Sequence, residues 1–314
     1  MSRILITGIT GFLGVHVVHQ ALEAAYTINV LAKHVNTFVV LTTPHAQRKC
    51  QCSFSLRQCP IGTSVTDALA SQTRLLWHTY ELVAFEEFID GVLNIIKQAF
   101  NAGVYKIVFK SSLLTANFDP KIVFSDHTYT DKDWFPATKE GTKDKSQDAW
   151  WFYYAAKTIA EQEAFAYANS HPEADITSIN PSFSMADSHR NIKSARGRPS
   201  PNGMFYENVL QVSSGKLPAI QPVGPINVDV RDVAKAHVLA LNRRKPSKSD
   251  RRGCSLGIGT NSFRGRTPSS TLTHANIDAS RAAEILWLTT YTPWEKTLED
   301  TAAAILAVEK DCSS

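Results

Sequence analysis

The sequence predicts an α/β protein built on a doubly wound parallel sheet, and three observations support this prediction. Between residues 3 and 180, short apolar and β-branched runs alternate with segments whose apolar residues recur at helical spacing. Such alternation is typical of a parallel sheet with helices on both faces. The first run ends in a glycine-rich loop, and the alternation weakens after Pro181. The weakening predicts a smaller C-terminal region beside the main sheet.

Each element of the main sheet is predicted from its local pattern. The strands are short β-branched or apolar runs, and the helices are segments with a 3.6-residue apolar period. Residues 34–74 show no clear period, and residues 117–147 are predicted to be a polar loop. The predicted strands are residues 3–7, 27–32, 74–79, 105–110 and 176–180, and the predicted helices are residues 14–25, 85–100 and 150–169.

The C-terminal region has a less regular pattern. Two segments rich in Ser, Arg, Gly and Pro, at 186–203 and 243–270, predict long surface loops. A short apolar run at 226–230 lies between them. Helices are predicted near residues 204–214, 279–287 and 294–309.

Composition excludes several classes of protein. Of the 314 residues, 43% are hydrophobic and 20% are charged, which is normal for a folded globular protein and excludes a disordered or collagen-like chain. The net charge of +4 is spread along the chain, so nucleic acid is not the expected partner. The apolar runs are too short to span a membrane, and the N-terminus lacks a secretory layout, so a cytoplasmic protein is expected.

The cysteines indicate neither a disulfide framework nor a metal site. Their number, five, is odd in a chain with no export signal. Cys50, Cys52 and Cys59 cluster behind His45, but their spacing is not a usual zinc pattern and no second ligand pair follows nearby. Reduced, unligated thiols are therefore the expectation, and no bound metal is predicted.

The strongest local signal is the loop Thr7-Gly8-Ile9-Thr10-Gly11-Phe12-Leu13-Gly14, between the first strand and the first helix. Glycine lets a backbone turn tightly and approach a pyrophosphate, and a helix N-terminus offers unpaired N–H groups to the anion. The loop therefore predicts a dinucleotide site. Its predicted cofactor-binding residues are Gly8, Thr10, Gly11, Phe12, Leu13 and Gly14.

The second signal is Tyr153-Tyr154-Ala155-Ala156-Lys157 on the long predicted helix. Residues four apart on a helix are neighbours, so Tyr153 and Lys157 share one face. An ammonium group beside a phenol lowers the phenol pKa, which makes the tyrosine a usable proton donor near neutral pH. Tyr154 also lies near this face, so spacing alone does not choose between the two tyrosines.

Taken in order, the motifs resemble those of an extended short-chain dehydrogenase/reductase, in the NAD(P)-dependent epimerase/dehydratase family. Within it, the chain resembles the dihydroflavonol reductase, cinnamoyl-CoA reductase and methylglyoxal reductase group. The similarity covers nearly the whole chain. The matching segments are Thr7–Gly14, Val108-Phe109-Lys110-Ser111-Ser112, Tyr153-x-x-x-Lys157-Thr158-Ile159-Ala160-Glu161, Ile179-Asn180-Pro181-Ser182, Val228–Ala234 and Tyr291-Thr292-Pro293-Trp294.

The resemblance implies a Rossmann-type sheet and an NADPH-dependent reductase of aldehydes or ketones. It selects Tyr153 as the proton donor, with Ser112 hydrogen-bonding the substrate carbonyl oxygen. It places Lys157 on the nicotinamide ribose and Pro181 beside the nicotinamide. The implied division of the chain is an NAD(P)-binding domain at 1–185, to which 208–242 returns, and a smaller substrate-binding region at 186–314.

Cofactor choice depends on the end of the second strand. An acidic residue there would favour NAD, whereas this chain has Lys33, which can pair with a 2′-phosphate. NADP is therefore favoured over NAD.

The chain also departs from the family pattern. Ser64 stands where an Asp usually meets the adenine, so weaker cofactor binding is expected. Ala25 occupies a turn position that is usually glycine and where a positive φ is expected. Ser184-Met185-Ala186 replaces the Gly-Pro loop expected after Pro181.

Two other functions stay open at the level of sequence. One is epimerisation or dehydration of a nucleotide sugar with tightly bound NAD, and the other is a non-catalytic nucleotide-binding protein. The partner expected is a small-molecule carbonyl compound, and the chain is expected to be a monomer or a homodimer. The physiological substrate is not predicted, because the irregular region at 186–285 would line its pocket.

Overall fold

A computed structural model shows how these elements are arranged. It describes residues 3–9, 11–32, 55–58, 74–77, 85–116, 122, 125–144, 146–185, 201–206, 226–243, 254–258, 260–261 and 275–313. The strands in these ranges are β1 (Arg3–Thr7), β2 (Thr27–Ala32), β3 (Ser55–Gln58), β4 (Arg74–Trp77), β5 (Lys106–Lys110), β6 (Thr128–Tyr129), β7 (Asp175–Pro181), β8 (Phe183–Met185), β9 (Ile226–Asp229), β10 (Cys254–Ile258), β11 (Thr260–Asn261) and β12 (Asn276–Ile277). The α-helices are α1 (Phe12–Glu23), α2 (Phe85–Asn101), α3 (Ala149–Ser170), α4 (Pro201–Phe205), α5 (Val230–Asn242), α6 (Ser280–Leu286) and α7 (Trp294–Ser313), and two short 3-10 helices span Leu113–Ala116 and Gly141–Lys143.

Seven strands form one parallel sheet in the order β10-β7-β5-β4-β1-β2-β3. The order runs outward from β1 in both directions, so the chain reverses direction across the sheet between β1 and β4. Doubly wound sheets bind ligands at the carboxyl ends of the strands beside such a reversal. The predicted fold class, a Rossmann-type doubly wound parallel sheet, is confirmed.

Alternating side chains of the strands supply a core on each face of the sheet. Ile4 and Ile6 of β1 pack with helices α1 and α5, whereas Leu5 faces the opposite core with α2 and α3. All three side chains are almost completely buried. Burying an aliphatic side chain of this size contributes about 1.5–3 kcal/mol, so the two-residue period of β1 fixes which residues point to which face. The two layers of helices hold the strand ends in place.

Several elements of the C-terminal part differ from the sequence-based expectation. Helix α4 begins at Pro201, inside the predicted loop at 186–203. The predicted surface loop at 243–270 contains β10, which pairs in parallel with β7 along its whole length. Cys254-Ser255-Leu256-Gly257-Ile258 has low strand propensity because of Ser and Gly, and pairing with β7 overrides it. Helix α5 was not predicted. Its start is marked by Asp229, whose carboxylate accepts a hydrogen bond from the backbone N–H of Arg231 at 2.8 Å.

The turn after α1 carries the positive φ that the sequence indicated. Ala25 has φ 59°, and the backbone N–H of Tyr26 donates to the carbonyl of Ala21 at 3.0 Å. The turn after α2 has the same pattern, with Gly103 at φ 77° and Val104 donating to Ala99 at 2.8 Å. An L side chain in this region of φ is strained, which glycine avoids.

We expect Ala25→Gly to stabilise the protein by about 0.5–1 kcal/mol, because relief of the strain exceeds the added entropy of the unfolded chain. Urea unfolding followed by circular dichroism measures the change. Gly103→Ala is the matched control, since a Cβ there would meet nothing within 4 Å and only the φ penalty remains. It should destabilise the protein by a similar amount. Destabilisation by Ala25→Gly would contradict the strain argument.

Candidate active site at the carboxyl edge of the sheet

The glycine loop between β1 and α1 is a tight turn closed by its own backbone. Gly8 has φ 68°, and the N–H of Gly11 donates to the carbonyl of Gly8 at 3.1 Å. A Cβ on Gly14 would lie 2.3 Å from the Gly8 carbonyl oxygen and 2.7 Å from the Ile9 Cα, so no side chain fits there. The first turn of α1 therefore packs directly on the end of β1. Gly11 caps α1 without a side-chain hydrogen bond, which leaves the first N–H groups of the helix pointing toward the loop.

Two hydroxyl groups without partners among the described residues lie at the same edge of the sheet as this loop, one at the end of β1 and one after β7. Thr7 Oγ1, at the end of β1, and Ser182 Oγ, just after β7, are buried and have no hydrogen-bond partner within the described part of the chain. The positive end of α1 faces the same edge of the sheet. Orphaned hydroxyls and a helix N-terminus at one edge match the groups that a phosphate and a ribose require. Thr10, Lys33 and Ser64, which the sequence also assigned to this cofactor, lie outside the described residues.

Helix α3 brings Tyr153 and Lys157 together. Asp148 caps the helix by accepting a hydrogen bond from the Trp151 N–H at 2.7 Å, and this sets the register of the first turns. Lys157 Nζ lies 5.8 Å from the centre of the Tyr153 ring. The ring of Tyr154 instead packs edge-on against Phe135, with centres 5.5 Å apart. The geometry thus favours Tyr153 as the partner of Lys157.

Ser112 lies two residues after the end of β5 and is 8% exposed. Its Oγ accepts a hydrogen bond from the Leu114 N–H at 3.3 Å, so part of its role is to close the turn after the strand. Accepting that bond does not use the hydroxyl proton, which the serine can still donate. Two side chains, Thr115 Oγ1 at 2.9 Å and Asn180 Nδ2 at 3.2 Å, donate to the Ser112 carbonyl oxygen.

A buried polar network lies beneath this turn. Glu161, one turn after Lys157 on α3, is fully buried. Its carboxylate accepts hydrogen bonds from Ser111 Oγ at 2.5 Å, Ser178 Oγ at 2.5 Å and Asn180 Nδ2 at 2.8 Å. The donors come from β7 and from the residue after β5, so the network joins the helix of Tyr153 to two central strands.

Burial controls the charge of the lysines at this edge. The pKa of Lys157 is lowered to about 7, because desolvation and, to a smaller extent, the nearby Lys110 ammonium outweigh the opposing effect of the Glu161 carboxylate. Burial also lowers the pKa of Lys110 to about 8. An anion bound at this edge would be attracted by both side chains and would stabilise their charged forms.

Sequence reasoning did not assign a role to several of these residues. Lys110, Ser111 and Glu161 stand within the quoted motifs, but periodicity marks none of them as functional. The signal that could have identified Glu161 is its place on the helix, four residues after Lys157 and on the same face. Of the predicted cofactor residues, the structure places Gly8, Gly11, Phe12, Leu13 and Gly14 at the loop and Pro181 at the end of β7.

A doubly wound sheet with a glycine loop, with a Ser after one of its central strands and with Tyr and Lys on a helix packed beside that strand's end, defines the class of nucleotide-binding α/β oxidoreductases. The chain matches the NAD dependent epimerase/dehydratase family over residues 4–252 and belongs to it. The family and the enzyme class predicted from the motifs are confirmed.

Several proteins similar to this chain are named as reductases or oxidoreductases. A putative uncharacterized oxidoreductase of Schizosaccharomyces pombe is 29% identical over 262 residues, covering 78% of this chain and 75% of that protein. Cinnamoyl-CoA reductase 1 of Arabidopsis thaliana is 25% identical over 264 residues, covering 80% of this chain and 69% of that protein. Among solved structures, yeast methylglyoxal/isovaleraldehyde reductase Gre2 complexed with NADPH superposes with a TM-score of 0.78, at 20% identity, over 98% of this chain and 99% of that one.

None of the helices that the structure describes combines the length and the apolar character that crossing a bilayer requires.

Proposed function

We propose that the protein is an NADPH-dependent reductase that converts an aldehyde or ketone carbonyl of a small organic molecule to an alcohol. The observation that supports this most is the pairing of Tyr153 with Lys157, whose Nζ lies 5.8 Å from the phenol ring. Tyr153 is the proposed proton donor. A bound nicotinamide would supply the hydride.

Ser112 and Lys157 have separate roles in the proposed reaction. Ser112 donates a hydrogen bond to the carbonyl oxygen, which orients the substrate and stabilises the negative charge that develops there. Lys157, as an ammonium, lowers the pKa of the Tyr153 phenol and so eases proton transfer to the alkoxide. Burial of Lys157, at 6% exposed, keeps water from screening this interaction.

The cofactor would be held mainly at its phosphates. The backbone of Gly8, Gly11 and Gly14 and the N-terminus of α1 would bind the pyrophosphate, Lys157 the nicotinamide ribose, and Pro181 would lie beside the ring. NADPH is proposed over NADH because of Lys33 and because Gre2, the structural relative described above, was solved with NADPH. The proposed substrate-binding region is the part of residues 186–314 that lies outside 208–242 and outside β10, which belongs to the main sheet. Monomer or homodimer remains the expectation for assembly.

Replacing Lys33 with Asp should reverse the cofactor preference. A carboxylate repels the 2′-phosphate of NADPH and accepts a hydrogen bond from the ribose hydroxyl of NADH. We expect the ratio of kcat/KM for NADPH to that for NADH to fall roughly tenfold or more, the equivalent of at least about 1.4 kcal/mol. Steady-state assays with both cofactors measure it. An unchanged ratio would place Lys33 outside the site.

The proposed reaction is tested with purified protein, NADPH and a panel of aldehydes and ketones, by following the loss of NADPH absorbance. Turnover of any member of the panel supports the proposal. NAD that stays bound through purification, together with absence of turnover, would favour the nucleotide-sugar reaction. Binding of NADPH without either property would favour a non-catalytic nucleotide-binding protein.

A further inference from the structure

The carboxylate of Glu161 is buried in the interior, where a charge is costly unless it is paired and hydrogen-bonded. It is 0% exposed and accepts bonds from the side chains of Ser111, Ser178 and Asn180. If this position only had to fill space, an apolar side chain would serve at this depth, and no hydrogen-bond donors would be needed. The number and origin of its donors indicate a more specific task.

The donors connect Glu161 to the turn that carries Ser112. Asn180 donates to Glu161 and also to the Ser112 carbonyl oxygen and to Thr115 Oγ1, the latter at 3.0 Å. Thr115 in turn donates to the same Ser112 carbonyl. Ser111, the residue before Ser112, donates directly to the carboxylate. Both sides of Ser112 are thus tied, through one or two hydrogen bonds, to the helix that holds Tyr153.

Glu161 also acts on Lys157 through its charge. The two residues are four apart on α3 and share a face. Among the charged groups that act on Lys157 are Lys110 of β5, which disfavours the ammonium form, and Glu161, which favours it. Tyr153 faces the same ammonium from one turn earlier.

We propose that Glu161 is a positioning residue, which holds the Ser112 turn in register with Tyr153 and favours the ammonium form of Lys157. This inference rests on the proposed reductase function. It assigns to one buried carboxylate two effects that can be measured separately, a geometric one carried by its hydrogen bonds and an electrostatic one carried by its charge.

Glu161→Gln tests the electrostatic effect through the pH profile, since the side chain keeps its shape and loses its charge. Its amide nitrogen cannot accept a hydrogen bond, so the variant also weakens the network, and a fall in kcat reports both changes. Without the carboxylate, the pKa of Lys157 falls. The ammonium therefore loses its proton at a lower pH than in the unaltered protein. We expect the alkaline limb of the kcat–pH profile to move down by about one unit. We also expect kcat to fall roughly tenfold to a hundredfold, with KM for NADPH changed less than threefold.

The matched control is Glu163→Gln, which removes a negative charge from the same helix two residues later. Glu163 forms an ion pair with Lys139 at the surface, at 2.6 Å between the charged atoms. The Glu163→Gln variant should therefore keep both kcat and its pH profile unchanged. Ser178→Ala removes one hydrogen bond to the carboxylate and keeps the charge. It should lower kcat without moving the alkaline limb, and it provides a measurement of geometry if Glu161→Gln folds poorly.

A readout independent of turnover completes the test. The titration of the Lys157 13Cε resonance, assigned by its loss in Lys157→Arg, reports the ammonium form directly. In Glu161→Gln it should titrate at lower pH than in the unaltered protein. If the unaltered protein reduces no carbonyl, the proposed function fails, and this titration still decides the inference. An unmoved Lys157 titration, or equal kcat and pH limb in Glu161→Gln and the unaltered enzyme, would overturn it.

Discussion

Tyr153→Phe should lower kcat by roughly 10³-fold, with the fold and the affinity for NADPH nearly unchanged. The ring keeps its edge-on contact with Trp150, at 6.3 Å between ring centres, and only the proton donor is lost. Loss of a well-placed general acid typically costs 10²–10⁴-fold in rate. Steady-state kinetics give kcat, calorimetric titration gives the Kd for NADPH, and thermal unfolding checks the fold.

Tyr154→Phe is the control for this assignment. The Tyr154 ring lies against Phe135, and burial together with the Asp148 carboxylate raises the pKa of its phenol, which makes it a poorer acid. We expect this variant to retain most of its activity. If Tyr154→Phe is inactive and Tyr153→Phe is active, the catalytic register is one residue from the position proposed.

Gly14→Ala should have the second large effect, on cofactor binding. A Cβ would lie 2.3 Å from the Gly8 carbonyl oxygen, and because the clash is with backbone, the loop or the helix must shift. We expect affinity for NADPH to fall at least about a hundredfold, equivalent to roughly 2.8 kcal/mol, because the pyrophosphate-binding N–H groups move with the loop. Calorimetric titration with NADPH measures this.

Gly91→Ala is the matched control for the added methyl group. Gly91 lies within α2, and a Cβ there would meet nothing within 4 Å. It should leave NADPH binding unchanged and stabilise the helix by about 0.5–1 kcal/mol. Equal NADPH affinity in Gly14→Ala and the unaltered protein would show that the loop does not bind the pyrophosphate.

The sequence predicted the central strands and long helices closely, because each buries a face with a clear period. β1, β2, β5 and β7 lie within a residue of their predicted bounds, and α3 begins one residue before its predicted start. β10 could not be predicted in this way. Its Ser and Gly carry little strand signal, and what orders it is pairing with β7, a neighbour far away in sequence.

The candidate site was predictable where one local motif carries its chemistry, as at Tyr153 and Lys157. Spacing did not separate Tyr153 from Tyr154, because the choice depends on Phe135, which reaches the helix from another segment. The role of Glu161 was hidden for a similar reason. In the sequence it is one more helical glutamate, and only the order of the strands brings Ser111 and Ser178 to its carboxylate.

The position of β10 has a consequence for how the chain reaches its native state. β7 is buried along its length, yet the strand that covers its outer edge is synthesised much later, after α5. Until residue 258 has left the ribosome, the N–H and C=O groups on that side of β7 have no strand to pair with. An apolar strand with an open edge is a template for pairing with other chains, so the nascent protein passes through an aggregation-prone stage. Completion of the sheet is therefore a late event with high contact order, and slow folding follows from the topology.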